Sequence, residues 1–253
     1  MRRMRIDPVG GERCPLGECD GSGFLVDTET RVTRECRCRP QRIAKAKARR
    51  LSAVIPRRYR GVSFDRPPVT LIDDAVIKHI RRYYDNLAEN LAAGRGLWLT
   101  GDVGTGKTTL AMLVSTRALE LTYSVAIYSL PRLLSELRKT YDETSDLSYL
   151  QLLDSLASVD LLHIDDVGAE RSSEWVLEQL YSIVNARYEE EKALVLTTNL
   201  EPEALQEQIG ERTVSRIFEI CGEPLPLFGE DQRRARPRAP RAFAVPERYG
   251  QAP

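Results

Sequence analysis

The sequence predicts a three-layer α/β/α fold built on a five-stranded parallel sheet, preceded by a small cysteine-rich module. Short apolar runs alternate with helical stretches through the middle of the chain. Because these runs do not alternate polar with apolar residues, they are typical of strands that are buried on both faces. A glycine-rich phosphate-binding motif follows the first run, between a predicted strand and a predicted helix.

The predicted elements of this domain follow from the spacing of apolar residues. Strands are expected at 96–100, 125–128, 160–164 and 193–197 and, from a weaker signal, within 219–228. Pro224 and Pro226 remove two N–H groups from one side of the last run, so that strand is predicted at an edge of the sheet. Ahead of the first strand, apolar residues three and four apart predict a helix that starts near Ile77 and ends at Gly94.

Composition places the chain among globular proteins. It has 253 residues, of which 42% are hydrophobic and 29% charged, so there is ample material for a core. No apolar run of about 18 residues is present, so no membrane-spanning segment is predicted. No apolar stretch follows the basic N-terminus, so no secretory signal is expected and the cytoplasm is the predicted compartment.

Charge and composition divide the chain into four predicted segments. These are a cysteine-rich module at 1–45, a basic linker at 46–63, the α/β domain at 64–229 and an Arg/Pro-rich tail at 230–253, which is predicted to be disordered. Formal net charge is zero, but basic residues are in excess at both ends. Those ends either meet an acidic partner such as nucleic acid or serve as a solvated linker and tail.

A phosphate-binding loop is predicted at 101–108, where the sequence GDVGTGKT matches the Walker A pattern. Its glycines allow a tight turn in which backbone N–H groups converge on phosphate oxygens, at the positive end of the following helix. Lys107 is expected to neutralise the β- and γ-phosphates, and the Thr108 hydroxyl is expected to bind Mg²⁺. The predicted nucleotide-binding residues of this loop are Gly101, Gly104, Thr105, Gly106, Lys107, Thr108 and Thr109.

Two adjacent carboxylates end the third predicted strand. Asp165 is predicted to hold Mg²⁺ together with Thr108, because hard cations prefer oxygen ligands. Asp166 is predicted to polarise the water that attacks the γ-phosphate. The alternative is a solvated turn after a strand. His163, inside the same apolar run, is interpreted as a packing residue rather than a ligand.

Polar residues after the fourth predicted strand and on a later helix extend the site. Asn199 follows Thr197 and Thr198 at a strand end, where its amide could orient the attacking water. Arg212 and Arg216 lie four residues apart, on one face of a short predicted helix. An arginine that reaches a γ-phosphate stabilises transition-state charge and can come from a partner subunit, although either arginine could instead form a surface salt bridge.

Four cysteines near the N-terminus predict a structural zinc site. Cys14 and Cys19 form one close pair, and Cys36 and Cys38 form the other. Four thiolates closing a tetrahedron can organise a segment too small for its own core. Because the spacings differ from the usual C-x₂-C, free thiols and redox chemistry stay as alternatives. Cys221 is interpreted as a small buried residue.

These motifs, in this order, resemble the DnaC/DnaI/IstB group of AAA+ ATPases. The resemblance covers roughly residues 55–235 and rests on 96–110, 161–168, 185–188, 197–200 and 210–217. It implies a strand order of 5-1-4-3-2, Asn199 as the sensor residue and Arg216 as an arginine finger acting in trans. It also implies that the helical lid of many AAA+ proteins is missing, which predicts slow, assembly-dependent ATP hydrolysis.

The resemblance further implies a replicative helicase loader with ATP, Mg²⁺ and Zn²⁺ as cofactors. The cysteine module would dock a hexameric replicative helicase, and an ATP-dependent homo-oligomer would bind single-stranded DNA. Arg132, Arg138 and Lys139 are candidate DNA contacts, with a solvated helix face as the alternative. Two other functions stay open: an IstB-like regulator of transposase targeting that assembles on duplex DNA, and a nucleotide-gated adaptor with negligible hydrolysis.

Overall fold

The computed structural model describes most of the chain in two parts, a cysteine-containing hairpin and an α/β domain. The residues that it describes are 14, 16–27, 32–39, 42–43, 51, 53–142, 148–169, 172–229 and 231. The hairpin pairs β1 (Phe24–Val26) with β2 (Thr33–Glu35) in antiparallel orientation. The tail that was predicted to be disordered lies outside the described residues except for Asp231.

The second part alternates helices with parallel strands. Its strands are β3 (Leu97–Gly101), β4 (Val125–Ser129), β5 (Leu161–Val167), β6 (Ala193–Thr198) and β7 (Leu225–Leu227). Its helices are α1 (Asp74–Asp85), α2 (Leu87–Ala92), α3 (Lys107–Glu120), α4 (Leu130–Lys139), α5 (Tyr149–Ser158), α6 (Glu174–Glu189), α7 (Pro202–Ile209) and α8 (Glu211–Cys221). Short 3₁₀ turns at Arg57–Tyr59 and Val69–Leu71 precede α1.

The five strands form one parallel sheet in the order β4-β5-β6-β3-β7. Numbered within the domain, this order is 5-1-4-3-2, so the predicted fold class is confirmed. Strand β7 lies at an edge, where Pro226 is opposite Thr100 of β3. The edge position matches a strand that cannot form a full hydrogen-bond ladder on both sides.

The sheet separates two apolar clusters, which explains the uninterrupted apolar runs of the strands. In β3, Trp98 belongs to one cluster, whereas Leu97 and Leu99 belong to the other. Helices α4 to α8 cover the first cluster, while α1 to α3 cover the second. Because β3, β4, β5 and β6 each contribute to both clusters, the polar residues of these strands other than His163 lie near the carboxyl ends, several of them at the candidate site.

Two predicted elements differ from those observed. The helix predicted to run to Gly94 is divided into α1 and α2 at Asn86, whose side-chain amide donates to the Arg82 carbonyl 2.9 Å away. A side chain that bonds the backbone in this way competes with helix continuation. The predicted run 219–228 is also mixed, because its first three residues complete α8 and only Leu225–Leu227 is strand.

Within the described residues, no helix combines the length and the apolar character that crossing a bilayer requires. The predicted absence of a helical lid concerns residues after 231, which lie outside the part of the chain that the structure describes.

Candidate functional site

The phosphate-binding loop connects β3 to the start of α3. The Lys107 ammonium donates to the carbonyl oxygens of Gly101 and Asp102, both 2.6 Å away, and the side chain is buried. The Thr105 hydroxyl donates to the Asp102 carbonyl at 2.9 Å. These contacts curl the loop around its own lysine and place a positive charge at the N-terminus of a helix, where anions are stabilised.

Glycine is required at two positions of this loop. Gly106 caps α3 with φ of 107°, a conformation that other residues rarely adopt. Gly101 has φ of 122°, and an added Cβ there would lie 2.1 Å from the Leu227 carbonyl oxygen of β7. The glycine pattern therefore reflects both backbone conformation and the close approach of the edge strand.

The two predicted carboxylates lie at the carboxyl end of β5, beside the end of β6. The Thr197 hydroxyl donates to Asp165 Oδ1 at 2.7 Å and accepts from the Asp166 backbone N–H at 2.9 Å. One hydroxyl thus fixes both residues of the pair. Sequence reasoning did not assign Thr197 a role, although it belongs to the Thr-Thr-Asn sequence that drew attention to Asn199.

Asp166 has a strained backbone and a side-chain partner. Its φ is 62°, in the left-handed region that residues with a Cβ seldom occupy. The Asn199 amide donates to Asp166 Oδ1 at 2.9 Å. The structure therefore brings together the predicted base and the predicted sensor. Both side chains are exposed, at the carboxyl ends of β5 and β6.

A cavity of about 610 Å³ joins these groups. One wall combines the loop with the strand ends, and it includes Gly104, Gly106, Lys107, Thr108, Thr109, Asp165, Asp166, Thr197 and Asn199. Predicted residues Gly101 and Thr105 lie behind this wall as buried residues rather than on its surface.

The opposite wall of the cavity was missed by sequence reasoning. It is formed by 58–62 and 66–68, which bring three arginines to the site, Arg58, Arg60 and Arg66. These residues at 58–62 belong to the predicted basic linker. A usable signal was present, because the apolar residues Ile55, Tyr59, Val62 and Phe64 in this stretch pack on the core cluster beneath α1 and α3.

His163 lies beneath the carboxylates as a fully buried side chain of β5. Its Nδ1 is 3.0 Å from the Ser115 hydroxyl of α3, and its Nε2 is 4.0 Å from Asp165 Oδ1. Burial lowers the pKa of this imidazole to about 4. A neutral, buried ring that does not line the cavity agrees with a packing residue.

The two candidate arginines of α8 lie away from the cavity of their own chain. Arg216 Nη1 contacts Glu219 Oε1 at 2.9 Å, and its guanidinium carbon is 4.0 Å from the centre of the Tyr188 ring. Arg212 is exposed. Neither arginine lines the cavity of its own chain.

The four predicted cysteines converge at the base of the hairpin. Their sulfur atoms all lie within 4.8 Å of one another, with 3.9 Å between Cys14 and Cys36 and 3.6 Å between Cys19 and Cys38. The backbone N–H of Cys19 is the main group that lowers the pKa of the Cys14 thiol, to about 6. Cys221 is separate from this cluster, and its sulfur lies 3.3 Å from the Leu194 carbonyl oxygen.

This arrangement fits a tetrahedral metal. Zinc–sulfur bonds of about 2.3 Å in a tetrahedron place sulfur atoms roughly 3.8 Å apart. Two of the separations, 3.6 and 3.9 Å, lie on either side of that value, and all of them are within 4.8 Å. The residues present therefore match the donor set and the geometry of a structural zinc site.

The candidate DNA contacts on α4 lie beside an aromatic cluster. Arg138 is 4.8 Å from the centre of the Trp175 ring, and Trp175 Nε1 is 3.3 Å from the Tyr141 hydroxyl. Tyr141 is 58% exposed and stacks on Tyr149, with ring centres 5.8 Å apart. Arg132 and Lys139 are also exposed, and Lys139 forms an ion pair with Glu136.

The chain is similar in sequence to a known family and to several characterised proteins. A family model described as "IstB-like ATP binding protein" matches residues 23–218. The replicative helicase loader DnaC of Escherichia coli K12 is 30% identical over 156 residues, which cover 62% of each chain. DnaC of Buchnera aphidicola from Schizaphis graminum is 30% identical over 142 residues, 56% of each chain. The chain thus matches less than two thirds of the length of these relatives.

A phage-like relative and two solved structures extend the comparison. The PBSX protein XkdC of Bacillus subtilis is 31% identical over 136 residues, 51% of this chain and 49% of XkdC. A crystal structure of the DnaC helicase loader has a TM-score of 0.58 and 28% identity, covering 68% of this chain and all of that one. A structure of DnaI has a TM-score of 0.56 and 26% identity, covering 71% and 94%.

Proposed function

Since the chain belongs to the IstB-like ATP-binding protein family, we propose that its cavity binds MgATP and hydrolyses it to ADP and phosphate. The observation that carries this proposal is the convergence of the Lys107 loop, the Asp165–Asp166 pair and Asn199 on one cavity. The loop provides charge for the phosphates, and the strand ends provide oxygen ligands and a base.

Binding would use the loop and both carboxyl strand ends. Lys107 is already oriented by two carbonyls of its own loop, so little side-chain freedom is lost when a phosphate arrives. The Thr108 hydroxyl and the Asp165 carboxylate line the cavity together and would hold Mg²⁺. When bound, that ion neutralises charge that develops on the phosphate oxygens.

Hydrolysis would depend on the Asp166–Asn199 pair. The Asp166 carboxylate would accept a hydrogen bond from the attacking water and so polarise it. The Asn199 amide would keep this carboxylate oriented through its 2.9 Å contact. Arg216 would come from a neighbouring subunit, because it lies outside the cavity of its own chain. The proposed active form is therefore an ATP-dependent homo-oligomer.

The cellular role we infer is that of a helicase loader. Two relatives named above are replicative helicase loaders, and the cysteine hairpin is a separate module available for docking a hexameric replicative helicase. The exposed Tyr141–Tyr149 stack beside Arg138 supports contact with single-stranded DNA, since bases stack on aromatic rings and phosphates pair with cations.

Phosphate release tests the enzymatic part of the proposal. Wild-type protein at a concentration that supports assembly should release phosphate, whereas Asp166→Asn should bind ATP with unchanged affinity and release at least ~100-fold less. Equal turnover by the two proteins would contradict the proposed base. Turnover by neither protein would favour the nucleotide-gated adaptor.

DNA and partner binding test the cellular part. Fluorescence anisotropy should show ATP-dependent binding to single strands, weakened by Tyr141→Ala. Filaments on duplex DNA without single-strand binding would instead favour a regulator of transposase targeting. Co-purification with the hexameric replicative helicase should disappear when Cys36→Ser is introduced, and failure of the wild-type chain to capture that helicase would remove the loader role.

A further inference from the structure

Two residues that lie outside the proposed nucleotide site contact Arg216. Tyr188 belongs to α6 and Glu219 to α8, one helical turn after Arg216. Tyr188 packs partly into the core cluster between the sheet and these helices. The phenol hydroxyl and the Glu219 carboxylate are also hydrogen-bonded, which raises the pKa of Tyr188.

These contacts hold the guanidinium on two different sides. The guanidinium carbon lies over the Tyr188 ring, 4.0 Å from its centre. The Glu219 carboxylate accepts a hydrogen bond from one edge of the guanidinium, with 2.9 Å between Oε1 and Arg216 Nη1. Arginine binds phosphate through edge donors, so stacking on the ring orients the group and leaves the edges as the chemically active part.

The two contacts therefore have opposite consequences for a phosphate ligand. Tyr188 packs against the core cluster and is uncharged, so it can stay in place when the arginine engages a nucleotide. Glu219 is an exposed anion, 44% accessible, and it uses the same donor edge that a phosphate would use. Exposed ion pairs of this kind are weak, so a phosphate can replace the carboxylate.

We propose that Tyr188 is a positioning residue for Arg216 when this arginine reaches the nucleotide of a neighbouring copy of the chain, and that Glu219 competes with that nucleotide for the guanidinium. The proposal rests on the proposed trans role of Arg216. The face of α8 that bears Arg216 would then contact the γ-phosphate held by the loop at 101–108 of the next subunit.

Mixed assemblies provide the test, because they separate the subunit that donates the arginine from the one that holds ATP. Lys107→Ala removes phosphate binding and keeps Arg216, whereas Arg216→Ala keeps the nucleotide cavity and lacks the finger. Each variant alone should be inactive. Mixing them should restore phosphate release if Arg216 acts in trans.

Tyr188→Leu is then placed on one component at a time. On the Lys107→Ala donor it should reduce the restored kcat roughly tenfold, because small misplacement of a catalytic group is costly. On the Arg216→Ala component it should leave the restored rate unchanged. Tyr188→Phe on the donor keeps the ring and should restore the rate. A merely structural tyrosine would give equal effects on both components, and that result would overturn the proposal.

Glu219→Gln gives the complementary measurement. In otherwise wild-type protein, loss of the competing carboxylate should raise phosphate release two- to fivefold at protein concentrations below half-maximal assembly, within the range expected for a weak surface pair. A decrease would overturn the competitor role. If the original mixture restores no activity, the trans role of Arg216 fails; if it restores activity but Tyr188→Leu has no effect, only the positioning role fails.

Discussion

Around the proposed nucleotide cavity, functional side chains lie at the ends of strands buried on both faces or on the segments that follow them, whereas around the cysteine cluster the cysteines are themselves the packed residues. Strands β3, β5 and β6 contribute to two apolar clusters. Asp165 lies near the end of β5, Asn199 directly follows β6, and Lys107 begins the helix after β3. Among the described residues of the hairpin, the buried apolar cluster consists of Cys14, Cys36 and Cys38, with Cys19 packed against it.

In the α/β domain the packed core holds the site in position, whereas in the hairpin the cysteine site itself is expected to hold the surrounding chain. The domain can hold its polar groups in position without ligand, because apolar burial stabilises the strands beneath them. The hairpin exposes Leu25, Val26 and Val32 and has no comparable support among its described residues. Its geometry should therefore depend on a bound metal, whereas the cavity should survive loss of its ligand.

Metal removal should have the largest effect and should be confined to the hairpin. A structural Zn²⁺ site contributes about 10–16 kcal/mol of apparent binding free energy at neutral pH. We therefore expect a strong chelator to abolish amide protection in 14–43, measured by hydrogen exchange, while protection in β3 to β6 and ATP affinity are unchanged.

Two cysteine variants provide the matched control. Cys36→Ser should lose one equivalent of zinc and the same amide protection, whereas Cys221→Ala should keep both, since Cys221 lies outside the cluster. Full protection of the hairpin after complete removal of zinc would show that the two regions do not differ in this way.

Loss of the loop lysine should have the next largest effect and should leave the hairpin intact. Each charge-assisted hydrogen bond is worth about 1.5–3 kcal/mol, so two contacts from Lys107 to phosphates predict a loss of about 4 kcal/mol in Lys107→Ala. Isothermal titration calorimetry should show ATP affinity reduced roughly 1,000-fold. Lys139→Ala, an exposed lysine on α4, should bind ATP normally. Equal affinities of the two variants would remove the loop from the nucleotide site.

A buried arginine tests whether the fold itself supports the cavity. Arg187 is fully buried in α6, and its Nη1 donates to the carbonyl oxygens of Leu156 at 2.6 Å and Ala157 at 3.3 Å. Its Nη2 also donates to the Ala193 carbonyl of β6. Arg187→Met leaves these acceptors unpaired, which predicts a loss of about 3 kcal/mol in unfolding free energy.

Urea unfolding of the zinc-loaded protein would measure this loss. Arg81→Met is the control, because Arg81 is exposed and stacks on Phe64, a contact worth about 1 kcal/mol or less. If both variants lose the same stability, Arg187 is not a structural support of β6.

The sequence predicted the part of the site that is contiguous in the chain. The Walker A loop, the Asp165–Asp166 pair and the edge position of β7 follow from local patterns, because glycine, carboxylate and proline each have a strong local requirement. The sulfur cluster was predicted from pairs of cysteines despite their unusual spacing. In each case, the chemistry of single residue types limited the possible structures.

Features that depend on tertiary packing were not predicted. The cavity wall at 58–62 carries a charged sequence typical of a linker, and only its contacts with the core reveal its place. The contact of Arg216 with Tyr188 joins two helices, so no local pattern indicates it, whereas Glu219 lies one helical turn after Arg216. Asp166 was predicted as a base, but its left-handed backbone follows from the turn that β5 makes beside Thr197.

The smallest predicted effect concerns the left-handed backbone of Asp166. The test is whether this conformation destabilises the protein when the residue has a Cβ. Residues with a Cβ in the left-handed region are destabilised by about 1–2 kcal/mol relative to the right-handed one, whereas glycine is not. Asp166→Ala and Asp166→Gly both lose the contact with Asn199, so their difference isolates the backbone. We expect the glycine variant to be more stable by about 1 kcal/mol.

The neighbouring aspartate gives the matched comparison. Asp165 is not among the described residues with positive φ, so glycine there should be less stable than alanine by about 0.5–1 kcal/mol. Chemical unfolding of the four variants should thus give opposite signs at adjacent positions. The same sign at both would mean that Asp166 is relaxed in solution. Opposite signs would mean that the domain core tolerates a strained carboxylate at the cavity.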